Sequence, residues 1–143
     1  MLTKSDMTII KSTAPLVRKH GLEITQHMYK ILFSKYPETK AMFKNANNQP
    51  EKLAAAIAAY AENIDQLNEL SDAVERMAVS HVNASVKPHH YPMVADSLLT
   101  AIKDVLGDEI VTDKIQAAWT NAYNHLADIL IAQENKIYSK HSA

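Results

Sequence analysis

The chain has 143 residues, 47% of them apolar and 22% charged, with a formal net charge of -1. That length suits one domain with a proper core, and the interspersed charge leaves no basic footprint for nucleic acid. Without cysteine there are no disulfides, thiolate-bound metals or cysteine nucleophile, and no apolar run nears the roughly 20 residues of a membrane span.

Only two glycines, Gly21 and Gly107, stand in a chain rich in alanine, leucine, lysine and glutamate. No Asn-Gly or Asp-Gly hairpin signal occurs, so the expected fold class is all-α. Thr3 followed by Asp6 reads as a capped helix start; this first helix runs to about His20, with Gly21 as its stop signal. A second helix covers about 22–36, with Ile24, Met28, Ile31 and Leu32 as its apolar stripe. Pro37 opens a short helical turn through Phe43, and 44–48 is a polar, asparagine-rich loop. Pro50 opens the next helix, about 51–63, which carries Ala54, Ala55, Ala56, Ala58, Ala59 and Ala61. Small side chains there either let two backbones approach closely or leave room for something bulky that is not side chain. Another helix spans about 69–81 and a loop follows over 82–89. Pro88 and Pro92 bracket the start of a long helix that ends at Gly107. Thr112 caps the last helix, which turns Ile115, Trp119, Tyr123, Leu126, Ile129 and Leu130 inward. No internal repeat or second domain is visible, and one domain over 1–143 is expected. The N-terminus lacks the pattern of a signal peptide, so the expected location is cytoplasmic.

Of seven histidines, His81 is the one with a clear inward setting. It closes a run in which Val74, Met77 and Ala78 recur at the spacing of one helical face. A buried imidazole needs a hydrogen-bond partner or a metal, and a core histidine bonded to a neighbour is the plainer alternative. Tyr91 and Glu134 are of types that orient an imidazole from behind, as in support of a haem-ligating histidine. His89, His90 and His141 read as solvated, and the adjacent His89 and His90 are expected to point apart. His20 sits beside the expected helix stop, where a partly cationic ring suits the macrodipole. His27 faces away from its helix's apolar stripe, and His125 is expected half-buried beside Trp119 and Tyr123. No two histidines have the i, i+4 spacing of a zinc-hydrolase helix. Tyr29 flanks the second helix's stripe, either as a core aromatic or as a hydroxyl donor aimed into a pocket. Gln49 and Leu53 share a helical face, and Phe43 ends the short Pro37 helix.

Blocks spread from Leu2 to Tyr138 resemble the bacterial globins of the flavohaemoglobin lineage, in particular its single-domain members. They include 9–11, 27–33, 56–64, 90–94, 118–123 and 134–138, that is Ile9-Ile10-Lys11, His27 to Phe33, Ala56 to Ile64, His90 to Val94, Ala118 to Tyr123 and Glu134 to Tyr138. The resemblance implies a three-over-three helical globin fold around one non-covalent haem b. It makes His81 the proximal iron ligand, Tyr91 and Glu134 the proximal hydrogen-bonded pair, and Tyr29, Gln49 and Leu53 the distal residues. Phe43 then packs against the haem, and Val86 and Val94 supply further apolar contacts.

The function implied is O2 binding with conversion of NO to nitrate; the alternatives are O2 storage or delivery without catalysis, and a helical interaction module without haem. The implied partners are O2, NO and a separate electron-donating reductase, with the protein a monomer or weak homodimer. Three departures from the family stand out. No flavin and nicotinamide half is present, the stretch between Phe43 and Gln49 is short, and Ser80 replaces a frequent lysine.

Overall fold

The computed structural model describes residues 2–43 and 48–142; the asparagine-rich stretch 44–47 and the side chain of His141 lie outside the described residues. Five α-helices carry the fold: α1 (Lys4–Lys35), α2 (Gln49–Glu62), α3 (Ser71–Asn83), α4 (His90–Leu106) and α5 (Asp113–Ser142). Short 3-10 helices at Pro37–Phe43 and Leu67–Leu70 lead into α2 and α3. Among the described residues there is no strand, and no helix is long and apolar enough to cross a membrane.

α1 begins with the expected capping box: the Asp6 N–H donates to Thr3 Oγ1 at 3.0 Å and the Thr3 N–H to Asp6 Oδ2 at 3.2 Å. It does not stop at Gly21. The two helices expected over 4–36 are one helix of 32 residues, and Gly21 is buried inside it. A Cβ at Gly21 would lie 3.1 Å from the Cβ of Ala54 on α2. The missing side chain therefore marks a helix crossing, at a propensity cost of about 1 kcal/mol relative to alanine. One turn on, Thr25 Oγ1 donates to the Pro50 carbonyl at 2.8 Å, which fixes the first turn of α2 against α1. Ala54 sits at this crossing, and Ala58 and Ala61, on the same face, are fully buried. Close backbone packing is thus what those three alanines serve.

α1 lies mainly against α2 and α4, and α5 packs against α3, α1 and α4. Two buried polar groups on these contacts find partners across helices, as burial demands, while Gln116 Oε1 on α5 is buried without one among the described residues. Trp119 Nε1 on α5 donates to Thr13 Oγ1 on α1 at 3.0 Å, and the Tyr60 hydroxyl on α2 donates to the Ala122 carbonyl at 2.8 Å. The apolar interior divides in two. The larger cluster is built on α1, α2, α4 and α5 and takes in Tyr29, Phe43, Leu53 and Val94. The smaller joins Ala78, Tyr91, Ala127 and Leu130, with Val74, Met77 and Val86 against it.

Candidate functional site

His81 lies near the end of α3 with its ring turned to α4 and α5. Its Nδ1 is 2.8 Å from Glu134 Oε2 and 3.0 Å from the Tyr91 hydroxyl. The Tyr91 hydroxyl donates in turn to Glu134, at 2.7 Å from Oε2 and 2.9 Å from Oε1. Glu134 and Tyr91 are both buried. A carboxylate only accepts, so the proton between the two side chains belongs to Nδ1 and the lone pair of the ring to Nε2. Nε2 makes no hydrogen bond to any described residue, and 35% of the His81 side chain stays accessible. A half-open imidazole, locked from behind in the tautomer that leaves Nε2 basic, is chemically fit to ligate a metal.

Tertiary bonds hold this network in place. Burial, and next the Glu134 carboxylate, drive the Tyr91 phenol far above its ordinary value, so it remains a donor. The Tyr123 hydroxyl donates to the Tyr91 carbonyl at 2.9 Å. Ser85 takes a left-handed φ of 63°, and past it the Val86 N–H donates to the His81 carbonyl at 2.9 Å. The Tyr138 hydroxyl then donates to the Val86 carbonyl at 2.7 Å. Tyr123 and Tyr138 were legible only as an inward aromatic and as part of a sequence block. Nothing local marks a phenol as the brace of a backbone 32 or 52 residues away.

Tyr29, Phe33 and Phe43 form a triangle of rings. Tyr29 stands 5.7 Å from Phe33 and 5.3 Å from Phe43, and the two phenylalanines are 5.6 Å apart. Burial pushes the Tyr29 phenol up to about 12, and its hydroxyl bonds to no described residue, so it is a protonated donor without an acceptor among them. Gln49 is the first residue of α2, beside the Pro50 carbonyl that Thr25 holds, and Thr25 lies one turn before Tyr29 on α1. Leu53 follows one turn into α2. Phe43, Leu53 and Val94 are half-buried in the larger cluster, and Val86 is half-buried in the smaller.

The other histidines take local roles. His20 stands inside α1 rather than at a helix end, with Nδ1 3.5 Å from Glu23 Oε1. His27 Nε2 meets Asp104 Oδ2 at 2.8 Å. The rings of His89 and His90 do not point apart but lie together, with centroids 4.1 Å apart. His90 opens α4, where its Nδ1 accepts the Lys87 N–H at 2.9 Å.

A family model for Globin matches residues 26–130. The chain belongs to the globin family. Its all-α architecture is the globin fold that the sequence led us to expect. It is 50% identical over 143 residues to an uncharacterized globin-like protein of Aquifex aeolicus, covering 98% of this chain and 99% of that one. It is 40% identical to the flavohaemoprotein of Pseudomonas aeruginosa, covering 97% of this chain and 36% of the relative. The globin thus spans about a third of the flavohaemoproteins it matches. Among solved structures, it superposes with a TM-score of 0.96 and 36% identity on an engineered carbene transferase whose parent is assigned as a nitric oxide dioxygenase of Rhodothermus marinus, covering all of both chains. The flavohaemoglobin of Malassezia yamatoensis, solved with bound FAD and haem, superposes with a TM-score of 0.87 at 29% identity, covering 96% of this globin and 38% of that chain.

Proposed function

We propose that this globin binds one haem b non-covalently, with His81 as the iron ligand, and uses it to convert NO and O2 to nitrate. The observation that carries the reading is the His81–Tyr91–Glu134 network, which fixes the imidazole and leaves Nε2 without a partner among the described residues. When bound, the haem would supply the coordination site and the one electron that conversion of NO and O2 to nitrate requires, and that electron would have to be returned by a donor. A reductase partner supplies that electron; the flavohaemoglobin of Malassezia yamatoensis, solved with both FAD and haem, supports a flavin as its source.

Within this reading each residue has a physical task. Glu134 holds the Nδ1 proton and lends the imidazole anionic character, so electron density moves toward the ligand position at Nε2. That bias favours the ferric state and O–O activation over reversible carriage. Tyr91 keeps the carboxylate oriented and shields it from water. Tyr29 donates its proton to negative charge that develops on a diatomic ligand, and the Gln49 amide is a second donor. Phe43, Leu53, Val86 and Val94 line the apolar walls that exclude water.

The test is stopped-flow mixing of the ferrous, O2-saturated protein with NO while the haem bands are followed and nitrate is measured. Rapid stoichiometric conversion to the ferric form with nitrate formed is expected. Slow conversion with O2 retained would instead assign the protein to O2 storage or delivery, and the absence of haem bands would remove the reading altogether.

A further inference from the structure

The seam between α3 and α5 opens as a groove of about 830 Å3. Its walls bring together Arg76, Val79 and Ser80 from α3 with Lys136, Ile137 and Lys140 from α5. Three cations stand there against one carboxylate, Glu75. Like most lysines of this surface, Arg76, Lys136 and Lys140 form no ion pair with any described residue; what sets them apart is that the groove gathers all three. Between them Val79 is 49% exposed, the most exposed large apolar side chain among the described residues.

The groove borders the two segments that carry the His81–Glu134 bond. Ser80 precedes His81 on α3, and Gln133, which also lines the groove, precedes Glu134 on α5. Farther along the same seam a second cavity of about 420 Å3 shares Glu75 and Gln133 with the first. That end carries Asp72 and Glu75 and no lysine or arginine. The seam therefore runs from an acidic end to a basic end, and a field of that shape orients a charged partner as well as attracting it.

We infer that the basic end of the α3–α5 groove docks the electron-donating partner, a small redox protein with an acidic rim around a flavin or iron–sulfur centre. The inference rests on the proposed haem function and names the surface through which the haem is reduced. One electron passes from the reduced prosthetic group of the partner, which is oxidised by one electron, to the ferric haem, which becomes ferrous. Exposed Val79 and half-buried Ile137 supply the apolar centre of the contact and the three cations its charged rim. A second copy of the chain is a poorer occupant, because its own seam offers only Asp72 and Glu75 as carboxylates to meet these three cations.

The experiment follows reduction of the ferric holoprotein by excess pre-reduced flavodoxin, an acidic one-electron donor, under anaerobic stopped flow. The bimolecular rate is expected to fall as ionic strength rises from about 0.01 M to about 0.15 M, where the screening length shrinks from about 30 Å to about 8 Å. The triple variant Arg76→Glu, Lys136→Glu, Lys140→Glu is expected to slow reduction by roughly tenfold or more at low salt, the lower end of steering effects. Lys19→Glu, on α1 outside the groove, should leave the rate within about twofold, since a lone charge outside the docking face adds little to steering. Dithionite, which needs no docking, should reduce wild type and triple variant alike, and it reports haem loading separately. A rate insensitive to salt and to the triple reversal overturns the docking assignment, as does an equal loss in Lys19→Glu. A stable dimer in sedimentation that the reversal dissociates also overturns it, because the groove would then be an interface between copies. Failure of dithionite to generate a ferrous haem spectrum refutes the haem reading itself.

Discussion

Replacement of Tyr29 by phenylalanine isolates a single hydroxyl. That hydroxyl bonds to no described residue, and the ring is positioned by its contacts with Phe33 and Phe43 at 5.7 and 5.3 Å. Phenylalanine preserves both contacts, so folding stability should change by no more than about 0.5 kcal/mol. In the complex with O2 the phenol is expected to donate to a partly anionic oxygen, a class of hydrogen bond worth about 1.5–3 kcal/mol. No described residue offers a competing bond to exchange for it, so most of that energy should appear in the ligand complex. At about 1.4 kcal/mol per tenfold, Tyr29→Phe should speed O2 dissociation by roughly 10- to 100-fold, with the association rate little changed. The assay is displacement of O2 from the ferrous protein by excess CO in a stopped-flow spectrometer. Because burial holds the phenol up at about 12, the wild-type off-rate should be flat from about pH 6 to about pH 10, where the donor keeps its proton. An off-rate within about twofold of wild type, a change too small for a lost charge-assisted bond, would take Tyr29 out of the ligand pocket. A wild-type rate that climbs through pH 8 would show that the donor is a more acidic group.

Other perturbations test the remaining parts of the structure. Glu134→Gln removes the negative charge behind His81 and should raise the haem midpoint potential by on the order of 60 mV, the one-electron equivalent of about 1.4 kcal/mol; an unchanged potentiometric midpoint would show that Glu134 orients the imidazole without charging it. Gly21→Val places a branched side chain where even a Cβ meets Ala54 at 3.1 Å, so urea unfolding should lose about 1–3 kcal/mol, and Ala54→Gly should restore part of it. No loss would mean that α1 and α2 are not pressed together there. His90 should make the protein less stable in mild acid. Its imidazole is held below the ordinary 6.5 by burial first and by His89 next, with Lys87 acting in the same sense and Glu38 opposing. The folded protein therefore binds fewer protons than the unfolded chain in this range, and stability is lost as pH falls from about 6.5 through the lower folded value. His90→Asn should flatten that slope in denaturation measured between about pH 5 and about pH 7, the range in which histidine titrates.

Local signals were read correctly wherever a few consecutive residues decide the outcome. Thr3 and Asp6 cap α1, Pro37 opens the short helix, and Gly107 ends α4 with φ 89°. The inward face of His81 was also legible, since periodicity alone turns Val74, Met77 and Ala78 to the same side. The sequence likewise showed that His81 needed a partner and that a phenol and a carboxylate were available. The resemblance to globins, rather than any local pattern, paired Tyr91 and Glu134 with it.

What tertiary structure decided are the matters that depend on residues far apart in the chain. Gly21 carries the same local signal whether it stops a helix or lets another cross it, and Ala54, 33 positions on, selects the crossing. The alanine run was compatible with close packing or with space for a ligand until α1 was laid against it. His89 and His90 were expected to point apart because neighbours on a loop usually do, and the start of α4 instead brings their rings together. Glu134 reaches Nδ1 across 53 residues, and the aromatic triangle closes only because the Pro37–Phe43 turn folds back on α1. Caps and periodicity act through one or two turns of chain, so sequence by itself determines them. The hydrogen bonds and apolar contacts that leave His81 Nε2 and the Tyr29 hydroxyl without partners among the described residues exist only once distant helices have excluded water between them.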